Sequence, residues 1–256
     1  MDVPGLRYSV DAGVASIVID RPERANALTM EMYEALNCSL WEAELDDSAD
    51  VITITATGDE YFVPGGDLSS GADDWERDVS GRLAHVEGDF PYPTFERISK
   101  IVITGVNGMC QAAGIVIVLV SDLVVASENA SFKVPEALRG LVEPFVPARL
   151  PSHVGLAKAR WMMYTGEEMS AVDAERFGLV GKVVPHDDLG AAVDDAVAAV
   201  RRTGPEARAR YKRLLTEAQP PFRYEEFFDQ MRSPEAVEGM RSFTEKRPPS
   251  WRPTSD

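Results

Sequence analysis

The chain has 256 residues, of which 45% are hydrophobic, and a formal net charge of −16 from 42 acidic against 26 basic side chains. This composition predicts a globular protein with a large core. The acidic balance argues against a general nucleic-acid binder, because such proteins neutralise phosphates with basic side chains. The apolar runs are about half of the roughly twenty residues that span a bilayer, and residues 1–5 resemble no secretory leader, so we expect a cytoplasmic protein without a membrane segment. Cys38 and Cys110 predict buried thiols rather than a disulfide or a metal site.

The first third of the chain predicts strands that alternate with a helix. Residues 14–19 and 51–55 are apolar and β-branched, which favours two strands. Between them, Thr29 is the predicted N-cap of a helix that runs to about residue 45, since apolar side chains recur there with a period near 3.6. A turn with adjacent glycines, Gly65-Gly66, then precedes a predicted surface loop at 69–80 and broken helical pieces around 83–98.

The central segment predicts a strand, a tight turn, a buried helix and a second strand. Residues 101–106 and 123–126 are the strands, and residues 115–120 have no polar face, which indicates a buried helix. Three small residues at 112–114 precede this helix and leave backbone N–H groups open to a ligand. A carboxylate, Glu136, follows about twenty residues later.

The last part of the chain is rich in predicted helices. Strands alternating with helices predict βαβ units in an α/β core over residues 1–200, and residues 201–256 predict a helical region that packs on this core or on a neighbouring subunit. The expected elements after residue 145 are helices at 154–164, from Ser170 to Gly178, at 186–202, at 205–218 and from Ser233, with a short strand at 179–184.

The two turns of small residues suggest an anion site. If the strands before Gly65-Gly66 and before residues 112–114 are neighbours, one N–H from each turn can converge on a single oxygen and stabilise an oxyanion, where one donor is worth roughly 3 kcal/mol. For either turn alone, tight turning and close packing are the favoured explanation of the small residues.

Several motifs resemble the crotonase (enoyl-CoA hydratase/isomerase) superfamily. The residues that carry the resemblance are 21–28 (RPERANAL), 62–68 (FVPGGDL), 100–108 (KIVITGVNG), 121–127 (SDLVVAS), 132–136 (FKVPE) and 140–141 (GL), followed by Leu179-Val180 and a tail with Glu238-Gly239, Phe243 and residues 245–247 (EKR). Each motif alone is weak, but the set extends over nearly the whole chain in order.

The resemblance implies the fold, the assembly and the ligand. The fold is an α/β spiral of ββα units with a helical C-terminal trimerisation region, and members are trimers or pairs of trimers. They bind acyl-CoA thioesters and stabilise a thioester enolate. The resemblance implies no metal and no cofactor other than the coenzyme A that is part of the substrate.

The resemblance also assigns residues. The oxyanion donors would be the N–H groups of Gly66 and Ala113, and Glu136 would be the catalytic carboxylate. Asp67 is expected to brace its own turn rather than take part in the chemistry. The implied set that holds the thioester and coenzyme A is Arg24, Ala25, Leu28, Val63, Pro64, Gly65, Asp67, Leu68, Phe243 and Lys246.

The reaction is where the chain departs from the family pattern. Family hydratases use two glutamates to hold a water, and the first position here is Val116. One carboxylate suffices to move a proton from C2 to C4, so the sequence favours the one-glutamate Δ3–Δ2 enoyl-CoA isomerase branch. Two alternatives remain: a hydratase in which Glu143 replaces the missing partner, and a non-catalytic acyl-CoA binder.

Overall fold

The computed structural model describes residues 3–67 and 90–252 of the chain. Within these residues the strands are β1 (Leu6–Asp11), β2 (Val14–Ile19), β3 (Val51–Ala56), β4 (Tyr61–Val63), β5 (Ile101–Val106), β6 (Met109–Gln111), β7 (Leu123–Ser127), β8 (Ser131–Lys133), β9 (Met169–Ser170) and β10 (Lys182–Val184). They form two sheets. The six-stranded sheet has the order β1-β2-β3-β5-β7-β10, and the four-stranded sheet has the order β4-β6-β8-β9.

The helices of the described residues connect these strands and then dominate the end of the chain. They are α1 (Met30–Leu45), α2 (Tyr92–Arg97), α3 (Ala113–Val120), α4 (Phe145–Val154), α5 (Leu156–Thr165), α6 (Ala171–Phe177), α7 (Leu189–Arg201), α8 (Pro205–Glu217), α9 (Tyr224–Met231) and α10 (Pro234–Thr244). Short 3-10 turns occupy Pro22–Arg24, Glu136–Arg139 and His186–Asp188.

The large sheet is the layer around which the core is built. Only β1 is antiparallel to its neighbour, while β2, β3, β5, β7 and β10 run parallel. All six residues of β5 are buried, as expected for a central strand of a parallel sheet covered by helices on both faces. Helix α3 is buried along its whole length, which explains why the sequence shows no polar face there.

The small sheet decides where the two small-residue turns lie. Strand β4 pairs with β6 in parallel, with Val63 opposite Cys110, and β6 pairs in parallel with β8. Because parallel neighbours end at the same edge, the turn after β4 and the start of α3 after β6 lie side by side. The sequence prediction had placed the strand of the second turn at 101–106, but the three-residue strand β6 directly precedes it.

The C-terminal helices pack on the core of the same chain. Lys212 of α8 is buried and forms an ion pair of 2.7 Å with Asp122, beside the large sheet. A Cβ placed on Gly239 of α10 would lie 1.9 Å from the carbonyl oxygen of Arg139, so this helix touches the turn at Glu136–Arg139 directly. The domain boundary expected near residue 200 stays a prediction.

Two expectations about local structure are wrong. The helix predicted at 154–164 begins at Leu156, because Gly155 has φ +76° and separates it from α4, which carries Pro151 in its interior and was not predicted. Cys38 is exposed, whereas Cys110 is buried as expected, and both thiols are free. The surface loop at 69–80 and most of the helical pieces from 83 lie outside the described residues. No helix in the described ranges is long and apolar enough to cross a membrane.

Candidate active site

The two small-residue turns meet in the structure. A Cβ built on Gly65 would lie 3.2 Å from the Cβ of Ala112, and a Cβ built on Gly114 would lie 2.3 Å from the carbonyl oxygen of Val63. Glycine at 114 therefore allows the start of α3 to approach β4 closely. Ala112 itself has φ +48°, a conformation that costs a non-glycine residue about 1–3 kcal/mol and that often marks a functional turn.

Two backbone N–H groups at this junction are unused. Gly66 is exposed, and Ala113 is the first residue of α3. Neither N–H donates a hydrogen bond to any residue in the described part of the chain. The positive end of the α3 dipole adds to the attraction that such a site exerts on an anionic oxygen.

The loop at 21–28 is fastened to the first of these turns. The N–H of Leu28 donates to the carbonyl oxygen of Gly65 (3.0 Å), and the N–H of Asp67 donates to that of Leu28 (2.8 Å). Arg21 donates to the carboxylate of Asp67 at 2.6 Å, which agrees with the expectation that Asp67 braces its turn. Ala25 lies in the same loop with φ +55°. The candidate coenzyme A loop and the oxyanion turn thus form one unit.

Glu136 lies half-buried at the first position of its 3-10 turn. Its Oε2 is buried and has no hydrogen-bond partner among the described residues. Burial raises its pKa from 4.5 to about 7, against a smaller lowering by a backbone N–H and by Arg139. A carboxyl group with a pKa near neutrality can both accept and return a proton at physiological pH.

Glu143 occupies the same pocket. Burial raises its pKa from 4.5 to about 8, and the charge of Glu136 contributes in the same direction. One of its oxygens, Oε1, accepts the N–H of Phe145 at 3.3 Å, at the start of α4. From the sequence, Glu143 is expected to be a solvated loop acid, and this expectation is wrong because the side chain is half-buried. Glu143 also lies near enough to Glu136 for the charge of Glu136 to act on its carboxyl group.

Aromatic rings wall this pocket. Tyr33 of α1 lies edge-on to Phe90 and to Tyr92, at centroid distances of 5.2 and 6.3 Å. Tyr92 in turn packs against Phe145 at 5.0 Å. Apolar walls keep water away from the two carboxyl groups, which is why their pKa values rise. Val116 of α3 is fully buried, so this helix places an apolar side chain where family hydratases carry a glutamate.

The remaining candidate residues differ in their exposure. Val63 is fully buried, and Pro64 is partly exposed. Arg24, Phe243 and Lys246 are exposed and therefore accessible to a ligand, and the guanidinium of Arg139 lies 4.3 Å from the centroid of the Phe243 ring. Leu68 lies outside the described residues. Tyr33 and Tyr92 were not among the candidates, although a tyrosine on the core face of a helix is a signal, since its hydroxyl needs a partner.

Residues 9–254 match the family model described as enoyl-CoA hydratase/isomerase. The chain belongs to the enoyl-CoA hydratase/isomerase family. Family membership makes it an enzyme of the isomerase or lyase type that acts on acyl-CoA thioesters. The predicted crotonase fold is therefore confirmed, while the one-glutamate isomerase branch stays a prediction.

Individual relatives of this enoyl-CoA hydratase/isomerase family member match nearly its whole length. The mevalonyl-coenzyme A hydratase of Aspergillus fumigatus is 33% identical over 250 residues, which cover 93% of this chain and 91% of that protein. The carnitinyl-CoA dehydratase of Proteus mirabilis is 29% identical over 263 residues, covering 96% and 98%. The crystal structure of carnitinyl-CoA hydratase from Mycobacterium avium is 30% identical, with a TM-score of 0.83 and coverage of 98% and 99%.

Proposed function

We propose that this site adds water reversibly across the C2=C3 double bond of a 2-enoyl-CoA thioester, with Glu136 and Glu143 as the acid–base pair. The observation that carries the proposal is the pair itself: two half-buried carboxyl groups that interact, with pKa values raised to about 7 and about 8. Between these values the pair holds one proton, so an acid and a base are present together.

The proton count of the reaction fits such a pair. Glu136, which has the lower pKa and is ionised in this state, takes a proton from water while the water oxygen forms a bond to C3. The electron pair of the C2=C3 bond moves toward the thioester oxygen, and Glu143, which holds the proton, then delivers it to C2. The pair begins and ends with one proton, and the reverse sequence eliminates water. General acid–base catalysis of this kind contributes about 10²- to 10⁴-fold in rate.

The enolate that forms needs a place for its charge. We infer that the N–H groups of Gly66 and Ala113 donate to the thioester oxygen, since the two turns are adjacent and both groups are unused within the described residues. Each donor in such a site contributes roughly 3 kcal/mol of transition-state stabilisation.

The names of the relatives support water chemistry. The curated relatives are named as a mevalonyl-coenzyme A hydratase and a carnitinyl-CoA dehydratase, and the structural neighbour as a carnitinyl-CoA hydratase. All three names describe gain or loss of water at an acyl-CoA.

The test compares three variants with crotonyl-CoA as the probe. Glu136→Gln and Glu143→Gln keep the size of the side chain and remove the titrating proton, and each is expected to lower the hydration rate by about 10³-fold. Glu128→Gln is the matched control, because Glu128 is exposed in the turn after β7. Full hydration activity in Glu143→Gln would reject the pair.

Isomerisation is the second candidate, and Val116 favours it. A fully buried valine on α3 cannot hold water, so Glu136 alone would shuttle a proton from C2 to C4. In that case Glu136→Gln abolishes conversion of a 3-enoyl-CoA to the 2-enoyl-CoA, whereas Glu143→Gln retains it. Neither the wild type nor the two variants would hydrate crotonyl-CoA.

We further propose that coenzyme A runs along the loop at 21–28 toward Phe243 and Lys246, and that the protein assembles as a trimer or a pair of trimers. The exposed basic side chains of Arg24 and Lys246 can neutralise the phosphates of coenzyme A in an otherwise acidic protein. Replacing both by glutamine should weaken binding of coenzyme A, and sedimentation analysis reports the number of subunits.

A further inference from the structure

The hydroxyl of Tyr33 lies beside the candidate oxyanion site. Tyr33 belongs to the first turn of α1, and its side chain is buried with 6% of its surface exposed. A Cβ placed on Gly66 would lie 3.6 Å from the Tyr33 oxygen. A thioester bound to the N–H of Gly66 would therefore lie close to a phenolic hydroxyl.

A second tyrosine fixes this hydroxyl. Tyr92 lies at the start of α2, its ring is edge-on to that of Tyr33, and the two hydroxyl groups hydrogen bond to each other. Two hydroxyls carry two protons, and their mutual bond uses one of them. The pair therefore keeps one O–H donor for a further acceptor.

The carboxyl groups of Glu143 and Glu136 lie near enough to the same hydroxyl for their charges to act on it. Burial, followed by the charges of these two glutamates, raises the pKa of Tyr33 above its usual value. The phenol therefore stays protonated at neutral pH and remains a donor. The hydroxyl is thus close to the turn whose N–H would hold the thioester and within the electrostatic reach of the carboxyl groups that would transfer protons.

Helix α3 carries no polar side chain at position 116, where family hydratases have a glutamate. Val116 offers no hydrogen bond, so a water that attacks C3 needs another group to orient it. Of the rings that wall the pocket, Phe90 and Phe145 are apolar, and the two tyrosines supply the hydroxyl groups.

We propose that the Tyr33 hydroxyl, held by Tyr92, donates a hydrogen bond to the oxygen that is added to or lost from C3 of the acyl chain. This inference rests on the proposed hydration activity. Tyr33 contacts the reacting oxygen, and Tyr92 is a positioning residue that acts through Tyr33. The substrate class that follows is a 2-enoyl-CoA and its 3-hydroxyacyl-CoA product.

The experiment separates water chemistry from enolate formation. Hydration of crotonyl-CoA needs the oriented water, whereas exchange of the C2 protons of butyryl-CoA with deuterated water needs only the oxyanion site and a carboxylate. In Tyr33→Phe we expect kcat for hydration to fall about 10- to 100-fold, with KM and the exchange rate unchanged, because one hydrogen bond to the reacting oxygen is lost. Tyr92→Phe should give a smaller loss with the same pattern.

Tyr8→Phe is the matched control. The Tyr8 hydroxyl is also buried, but it has no partner among the described residues and belongs to β1. Its removal is expected to leave both rates unchanged. Thermal unfolding of each variant checks that the fold is retained.

The outcomes are distinct. Hydration that survives in Tyr33→Phe, or hydration and exchange that fall together, would overturn the role of Tyr33 and leave the proposed function intact. A wild-type protein that exchanges C2 protons but never hydrates crotonyl-CoA would overturn both.

Discussion

Replacing Glu136 by glutamine should remove activity. It should also make the protein more stable than the wild type, by a difference that grows as the pH rises. In the native structure the carboxyl group is buried away from water, so its ionised form is disfavoured there. Glutamine has nearly the same shape and carries no charge at any pH. The variant therefore removes the cost of holding a carboxylate in this pocket.

The size of the effect follows from the pKa of Glu136. A rise from 4.5 in the unfolded chain to about 7 in the native protein corresponds to a cost of about 3 kcal/mol when the group is fully ionised. Between these values the native state binds more protons than the unfolded state, so the stability of the wild-type protein falls as the pH rises. The full cost is present only above the native pKa. Loss of the Glu136 charge also relieves Glu143, which adds to the gain.

Urea unfolding at a fixed protein concentration measures this difference. At about pH 4 the two proteins should differ only by a constant, and by about pH 8 the free energy of unfolding of the variant should have gained about 3 kcal/mol on the wild type. Glu238→Gln is a control of opposite sign. Arg247 lowers the pKa of Glu238 to about 2, so this variant should lose stability relative to the wild type at neutral pH, and the loss should vanish in acid.

A stability gap for Glu136→Gln that stays constant across the pH range would refute the reasoning. It would mean that the carboxylate is hydrated in solution, and the pKa needed for proton transfer near neutrality would be lost with it.

Three further predictions follow from the site and its supports. The hydration rate should peak between about pH 7 and 8 and fall on both sides, because the glutamate pair then holds one proton; a rate that rises to a plateau would instead indicate a single base. Gly114→Ala would place a Cβ 2.3 Å from the carbonyl oxygen of Val63, so we expect kcat/KM to fall about 10- to 100-fold. Gly190→Ala is the control, because there is open space around Gly190, and it should have no effect. Equal activities of the two variants would contradict the close approach of α3 to β4. Lys212→Met removes the ion-pair partner of the buried Asp122 carboxylate and should lower the free energy of unfolding, measured with urea, by about 3–5 kcal/mol. Adding Asp122→Asn to this variant should recover part of the loss. If Lys212→Met loses no stability, water reaches the ion pair.

Local signals in the sequence predicted the helix starts well. Helices were expected to begin at Thr29, Ser170 and Ser233. In the structure each of these side chains accepts the N–H of the residue three positions later in the chain. Such caps depend on residues a few positions apart, and the chain encodes them directly. Helix α4 was missed because its two prolines argue against a helix, yet burial of Phe145, Val146 and Leu150 stabilises it.

The site could be predicted only in part. The small-residue turns follow from local sequence, and the resemblance to the family assigned Glu136. The meeting of Tyr33 with Tyr92 could not be read from the sequence, since 59 positions separate them and only the packing of α1 against α2 brings them together. The raised pKa of Glu143 has the same origin, because it depends on burial and on the charge of Glu136.

The close contact between Gly239 and the carbonyl of Arg139 joins the tail of the chain to the chemistry. The turn that begins with Glu136 has α10 as its outer support, so a shortened or displaced tail would let solvent reach the acid and return its pKa toward that of a free carboxyl. The activity that depends on Glu136 therefore reports whether α10 is packed on its turn. A proteolytic clip after about residue 230 should silence the enzyme while leaving Glu136 and Glu143 in the chain, because it removes α10 together with the proposed coenzyme A contacts Phe243 and Lys246.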